Sequence, residues 1–426
     1  MKAVKVGLIG YGTIGSGVHA LVEQKRKLIG ERRGLDLQIT AICDTRIESI
    51  TERASDITYT DRWEDIVNNP DIDFVVELIG GIDPAKEIVI SALKNGKDVV
   101  TANKKLLAEA GKDIFATADS LKRPVGFEAA IGGGIPCLLA LTTGLVGNHI
   151  RSIMGILNGT TNYILSQMEE KGLAFDTILK DAQDKGFAEA DPTFDIEGYD
   201  AGHKIALLAS LAYQCEVDFS SIPIEGITKI TDIDIAYAKD MGYAIKLLGI
   251  ARMEDAGLDI SVHPTMIPAH HPLAAVRNEF NAVMYDGDMT DPVILHGKGA
   301  GSLPTASAVV SDIVQIAQSG DTDAPAFNIS GSTTFLRAED RHSKYYLRIH
   351  SKDEPGILSQ ISGVLGEHNI SIASVIQKEA AEEYIPLIIM THRIDEAAIL
   401  AATEEISGFD FVKGEVMIIR VEDSNF

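Results

Sequence analysis

A three-part α/β chain is predicted by three observations. Over the first third, short apolar runs rich in Val and Ile alternate with helical patterns, the signature of a parallel sheet. The first of those runs passes directly into a glycine-rich turn, "GYGTIG" at 10–15, and then into a helix, the order of a Rossmann-type dinucleotide-binding domain. The final stretch reads strand, helix, strand, strand, helix, strand, which is the βαββαβ order of a ferredoxin-like sandwich.

Size and composition set the limits within which those elements must fit. A chain of 426 residues exceeds what one core usually organises. With 45% hydrophobic and 23% charged residues it is neither disordered nor fibrous. A net charge of −24 repels nucleic acid and anionic membrane surfaces, so the expected partners are small molecules or further subunits of a homodimer or homotetramer. The cysteines, Cys43, Cys137 and Cys215, match neither a zinc spacing nor a disulfide framework, which fits a reducing cytoplasm. The opening "MKAVKVGLIG" does not read as a signal peptide. Glycines and a proline break up the uncharged run at 129–149, which argues against a membrane span there.

In order, the strands are expected at 5–9, 37–43, 74–79, 98–101 and 124–127. They assign residues 1–130 to the dinucleotide-binding domain, completed by about 300–320. Residues 131–300 mix helical stretches (160–171, 199–213) with strand-like runs such as 258–267, which predicts an α+β catalytic and dimerisation domain. "SGDTDAPAFN" is small, polar and proline-bearing, and suits a linker over 319–343. The last module is expected over 344–426, with a helix near 396–407.

Several motifs carry chemistry. Gly10 permits a tight turn, Gly12 lets the backbone approach a pyrophosphate, and Gly15 allows close helix packing, while the helix N-terminus favours an anion. The alternative is a glycine-rich turn without a ligand. At the end of the second strand Asp44 could accept from a ribose hydroxyl and Arg46 could pair with a 2′-phosphate, so the choice between NAD and NADP stays open. "TANK", Thr101 to Lys104, sits at a carboxyl edge of the sheet, where a lysine can face a cofactor or simply be solvated. "FEAAIGGGIP" combines Glu128 with a glycine run, either a cation cradle or a tight backbone crossing.

The densest stretch is "GFAEADPTFDIEGYDAGHK" at 186–204, where Glu189, Asp191, Asp195, Glu197 and Asp200 precede Lys204. Asp200 and Lys204 are four apart in a helical pattern and share a face. A solvated acidic loop with a surface ion pair is the plain reading. If that face is buried, Lys204 becomes a proton donor tuned by desolvation and by Asp200, and Glu189 could hold a substrate ammonium. His263, His270 and His271 occupy a stretch without a ligand-bearing helix and read as structural.

Together the glycine loop, "TANK", "FEAAIGGGIP", the spaced pattern Ala182, Gly186, Asp191-Pro192, Asp195, Gly198, Asp200, Lys204, and "GKGAGSLPTAS" resemble the homoserine dehydrogenase family over nearly the entire chain. The resemblance implies interconversion of L-homoserine and L-aspartate 4-semialdehyde with NADP or NAD, in threonine and methionine biosynthesis. It implies Lys204 as proton donor, Lys104 as second active-site lysine, and Glu189 and Asp200 as substrate ligands. It implies cofactor contacts at Gly10, Tyr11, Gly12, Thr13, Ile14, Gly15, Thr101, Lys104 and Gly301. Glu128, Ile131, Gly133 and Ile135 resemble a monovalent cation site, for Na+. The last module, with "DEPGIL" at its first turn and "NISI" entering its second strand, resembles an ACT domain, which implies L-threonine as an effector; the alternative is a dimerisation module without a ligand. A dehydrogenase of another amino acid and a nicotinamide sensor without catalysis are the competing functions.

Overall fold

The computed structural model describes residues 1–319, 331, 333–378 and 382–422. The chain forms two compact units, one of Met1–Gly159, Asp200–Ile222 and Glu279–Ser332, the other of Thr160–Tyr199, Pro223–Asn278 and Thr333–Phe426. The division crosses the sequence-based limits, because residues 131–300 are shared between the units and the C-terminal module groups with 223–278.

The first unit opens with β1 (Lys2–Ile9), α1 (Thr13–Arg33), β2 (Leu35–Cys43), β3 (Thr58–Thr60), α2 (Trp63–Val67), β4 (Phe74–Glu77), α3 (Ala85–Lys94), β5 (Asp98–Thr101), α4 (Lys104–Leu121) and β6 (Val125–Gly126). These strands form an all-parallel sheet in the order β3-β2-β1-β4-β5-β6. Val6, Leu8, Val75, Val76, Val99 and Val100 are fully buried, as strands covered on both faces require. The strand order reverses between β1 and β4, so their carboxyl ends flank the crevice where open α/β sheets bind ligands. The expected strand at 74–79 ends at Glu77, whose carboxylate accepts from the amides of Ile79 and Gly80 and turns the chain.

After α5 (Cys137–Leu139) and β7 (Ile150–Ile156), the chain passes through α6 (Gly159–Lys171), α7 (Phe175–Asp184) and α8 (Thr193–Ile196), largely in the second unit. It re-enters the first unit early in α9 (Tyr199–Ala212). The second unit then takes α10 (Asp232–Asp240) and the hairpin of β8 (Tyr243–Glu254) and β9 (Gly257–Pro268), twelve residues each. β10 (Phe280–Gly287) and β11 (Asp291–Lys298) return to the first unit, where β10 pairs antiparallel with both β11 and β7. α11 (Ser302–Ser319) buries Ala306, Val309, Val310 and Ile313 in one cluster with Val4, Leu8, Val18 and Val22, so this late helix completes the core of the parallel sheet.

The C-terminal module comprises β12 (His342–Lys352), α12 (Ile357–Glu367), β13 (Ile372–Gln377), β14 (Tyr384–Thr391), the short β15 (Ile394–Asp395), α13 (Glu396–Ser407) and β16 (Met417–Val421), the expected βαββαβ order. Tyr345, Leu347 and Ile349 of β12 pack with Ile361 and Leu365 of α12 and Ile399 and Ile406 of α13. Within the second unit the strands run β8-β9-β16-β12-β14-β13, with β16 parallel to β9 at Arg420 and Thr265. About half of the expected linker lies outside the described residues, but Thr334 and Leu336 bond to the backbone of Leu258 in β9.

Candidate active site

α9 decides how the acidic stretch is read. It is buried on nearly every side, and Asp200 is 3% exposed and Lys204 7%, so neither belongs to a solvated face. The Lys204 ammonium donates to Asp200 Oδ2 at 2.8 Å and to the Leu157 carbonyl, just beyond β7, at 2.6 Å. Asn158 Nδ2 donates to the same carboxylate oxygen at 2.8 Å. The other oxygen, Oδ1, lies 2.7 Å from Lys104 Nζ at the start of α4. Burial opposes ionisation of Asp200, but the Lys204 and Lys104 ammonium groups outweigh it and hold the carboxyl well below the usual range. The result is one carboxylate bridging two lysines that are far apart in sequence.

"TANK" positions the second of those lysines. The Thr101 hydroxyl donates to the buried Glu77 carboxylate at 2.6 Å and accepts from the Asn103 amide. Asn103 Oδ1 caps α4 by accepting from Leu106 N at 3.1 Å, and its Nδ2 donates to Gly81 O. Lys104 is therefore the first residue of a helix whose entry is fixed by three polar side chains. Glu77 and Asn158 carry this geometry and were not picked out from the sequence. His203, next to Lys204, is buried against Phe219 with Glu109 at 3.3 Å, and burial lowers its pKa.

The glycine loop joins β1 to α1. Gly10 has φ +100°, and a Cβ there would come within 2.8 Å of the Leu78 backbone. A Cβ on Gly15 would sit 2.1 Å from the Gly10 carbonyl, whereas one on Gly12 would meet nothing within 4 Å. Gly12 thus borders open space, the room a pyrophosphate needs. Asp44, at the end of β2, accepts from the Tyr11 amide and the Arg46 amide, each at 2.8 Å. Burial resists its ionisation, but those amides and the Arg46 side chain keep its pKa lowered. The Arg46 guanidinium is 3.6 Å from Asp44, with a side chain 76% exposed. Thr13 O accepts from Ser302 Oγ at 2.7 Å, which ties the loop to α11 just after Gly301, itself at φ +118°. Ile14 packs on the sheet cluster.

At "FEAAIGGGIP" the backbone crossing is real. A Cβ on Gly133 would lie 2.4 Å from Gly299 O, and Gly134 N donates to Lys298 O. The two oxygens of Glu128 accept from Leu138 N and Leu139 N, both at 2.8 Å, so this side chain caps the helical segment after Pro136. Burial raises its pKa despite those amides. Ile131 and Ile135 are buried in the same turn, where Ile135 O accepts from Cys137 N. Among the described residues no cluster of three or more His, Cys, Asp or Glu could hold a metal ion. Glu189 belongs to the second unit, exposed on the loop after α7, with its main-chain oxygen accepting from Gln183. His271 caps the turn at Pro272–Ala275 through Leu273 N. Among the described residues no helix is long and apolar enough to cross a membrane.

Comparison with known proteins covers the same ground. The family model described as homoserine dehydrogenase matches residues 136–314, its NAD binding domain matches 10–128, and an ACT domain matches 345–409. A homoserine dehydrogenase of Neisseria gonorrhoeae is 44% identical over 99% of both chains. A crystal structure of a homoserine dehydrogenase from Thiobacillus denitrificans superposes with a TM-score of 0.94 at 42% identity, covering 99% of each chain. A hyperthermophilic archaeal homoserine dehydrogenase mutant in complex with NADPH covers 74% of this chain and 98% of its own, with a TM-score of 0.64 at 25% identity.

Proposed function

The chain belongs to the homoserine dehydrogenase family, and from that premise we propose how its residues carry out the reaction. A bound nicotinamide supplies or accepts the hydride at C4 of L-aspartate 4-semialdehyde or L-homoserine; binding, orientation and proton transfer fall to side chains. Lys204 delivers a proton to the C4 carbonyl oxygen as it gains negative charge, and takes it back in the reverse direction.

The bridging of Lys204 and Lys104 by Asp200 carries this reading. An ammonium has three donors, and two of Lys204's are engaged by Leu157 O and Asp200. Among the described residues the third has no partner, which suits a substrate oxygen. Once Lys204 has given up its proton, Lys104 still balances the buried Asp200, so the carboxylate is never left alone at low dielectric. Glu189 is proposed to hold the substrate ammonium through a charge-assisted bond.

The cofactor reading leans to NADP. Asp44 is occupied by two main-chain amides, whereas the exposed Arg46 is available to a 2′-phosphate. NADPH on the archaeal relative supports the same choice. A monovalent cation, Na+ in this reading, would be held by main-chain oxygens around Glu128, Ile131, Gly133 and Ile135, since the Glu128 carboxylate is already taken by amides. L-Threonine is proposed as feedback effector at the C-terminal module, supported by Gly356, at φ +96°, which opens α12 without a side-chain cap. We place the enzyme in the cytoplasm as a homodimer or homotetramer of threonine and methionine biosynthesis, consistent with three buried free cysteines.

The decisive experiment is Lys204→Ala, assayed by reduced-nicotinamide absorbance with homoserine and either cofactor. Turnover should fall by roughly 10² to 10⁴, with cofactor affinity little changed. Near-normal turnover removes Lys204 from the chemistry. Titrating threonine into the same wild-type assay tests the effector reading, which an indifferent enzyme would end.

A further inference from the structure

Glu189 sits on an exposed loop, yet the backbone beneath it is held in place by the last turn of α7. Asp181 faces α6, where its Oδ2 accepts from Tyr163 OH at 2.8 Å and from Lys185 Nζ at 2.9 Å. The hydrogen bonds from Lys185 and Tyr163 bring the Asp181 carboxyl down to about 2, so this anchor stays ionised. Ala182 O accepts from Phe187 N at 2.9 Å and from Ala188 N at 3.2 Å. Gln183 Nε2 donates to Glu189 O at 3.1 Å and to Ala190 O at 3.4 Å.

The start of the loop is fixed from α6 as well. The Phe187 ring lies 4.7 Å from that of the buried Tyr163, and the Phe187 carbonyl accepts from Thr160 Oγ1 at 2.8 Å. Beyond Ala188 the fastening passes to a single side chain. Among the described residues, the hydrogen bonds that the main chain of Glu189 and Ala190 makes are those from Gln183.

Glutamine suits this position by its chemistry. Its amide carries two N–H donors and no charge, so it can hold two carbonyls and leave the neighbouring carboxylate free to meet a cation. A lysine at 183 would compete with a substrate ammonium for Glu189, and a glutamate would repel the carbonyls. A loop ordered before binding also spares the ligand the entropy of ordering it, whereas a loose one takes that cost out of the affinity.

We propose that Gln183 is a positioning residue for substrate binding: by holding the Glu189 and Ala190 carbonyls it sets the Glu189 carboxylate for the ammonium of homoserine. The inference rests on the reading of Glu189 as the ammonium ligand, and it adds a residue that acts through Glu189 rather than on the substrate.

The test is steady-state oxidation of homoserine by the full chain as wild type, Gln183→Met, Glu189→Ala and the double variant. Methionine keeps the length and helix propensity of glutamine and removes both donors. In Gln183→Met the KM for homoserine should rise roughly 5- to 30-fold, the affinity equivalent of ordering one backbone residue. Turnover at saturation and the KM for the cofactor should stay within about twofold, because an interaction equal in ground and transition states moves only the KM of its own substrate. The double variant should show the KM of Glu189→Ala, since Gln183 acts only through that carboxylate. The proposal is overturned if Glu189→Ala raises the KM and Gln183→Met does not, if the two increases multiply in the double variant, or if kcat falls as far as KM rises. Should Gln183→Met not fold, Gln183→Lys carries the test: its ammonium would neutralise Glu189, so an unchanged KM for homoserine overturns the proposal. An unchanged KM in Glu189→Ala removes the ammonium reading itself, and this inference with it.

Discussion

Asp200 and Asp234 are both buried aspartates in the first turn of a helix, and both face cations, yet their partners differ in kind. Asp234 accepts from the Arg348 fork at 2.7 and 3.2 Å, from Tyr346 OH at 3.0 Å, and from the amide and hydroxyl of Thr231 in a capping box. Its acceptor capacity is filled by groups fixed in place, and it fastens α10 to β12. Asp200 instead holds two lysines, whose compact ammonium groups can rotate, and one of them, Lys104, has a side chain 34% exposed. A rigid planar cation makes a fastening of a buried carboxylate. A pair of lysines makes a site that can exchange a proton.

The same substitution at the two positions should therefore give opposite signatures. Asp200→Asn should lower turnover by roughly 10² to 10⁴, because Lys204 loses both its orientation and the charge that tunes it. Asp234→Asn should leave turnover within about twofold while lowering stability by about 3–5 kcal/mol, read as a shift in denaturant midpoint, because it leaves Arg348 buried and uncompensated. Comparable losses of activity in the two variants would erase the distinction. A milder probe of the fastening is Arg348→Lys, which keeps the charge but not the fork; about 1.5–3 kcal/mol of stability should be lost, and no loss would mean that the planar geometry is immaterial.

The smallest effect concerns pH. The carboxyl of Asp200 titrates below its unfolded value of about 3.9 when folded, so the stability it contributes is complete above that value and declines as pH falls toward the folded one. Denaturant midpoints of wild type and Asp200→Asn should accordingly converge as pH is lowered from about 4, and a gap that widened instead would contradict an ionised Asp200.

The sequence made the local geometry legible. The glycine loop, the strand-end position of Asp44 and the i, i+4 pair of Asp200 and Lys204 depend on neighbours a few residues away, and the structure has each of them. What stayed hidden comes from distant chain. Leu157 and Asn158 meet α9 from a turn more than forty positions upstream, and Glu77 reaches Thr101 across adjacent strands. Glu128 was read as a cation ligand or part of a crossing, but its role as a cap depends on a turn that only the folded backbone makes. Asp234 looks like any acidic helix start, because nothing near it in sequence announces Arg348. β3, at three residues, is too short to leave a periodic pattern.

The parallel pairing of β16 with β9 also has a consequence for the chain during its synthesis. Thr265 and Met266 receive their partners, Arg420 and Val421, only after the long intervening stretch of chain has been made, and Glu422 then adds a bond to Met266 O at 2.9 Å. At about 5–20 residues per second, a gap of roughly 150 residues leaves that stretch of the hairpin with its amides and carbonyls uncovered for on the order of ten to thirty seconds. The nascent chain passes that interval with an open strand edge, so its dependence on chaperones should be greatest while the module from β12 to β16 is still being translated, and a variant lacking β16 should make the exposure permanent.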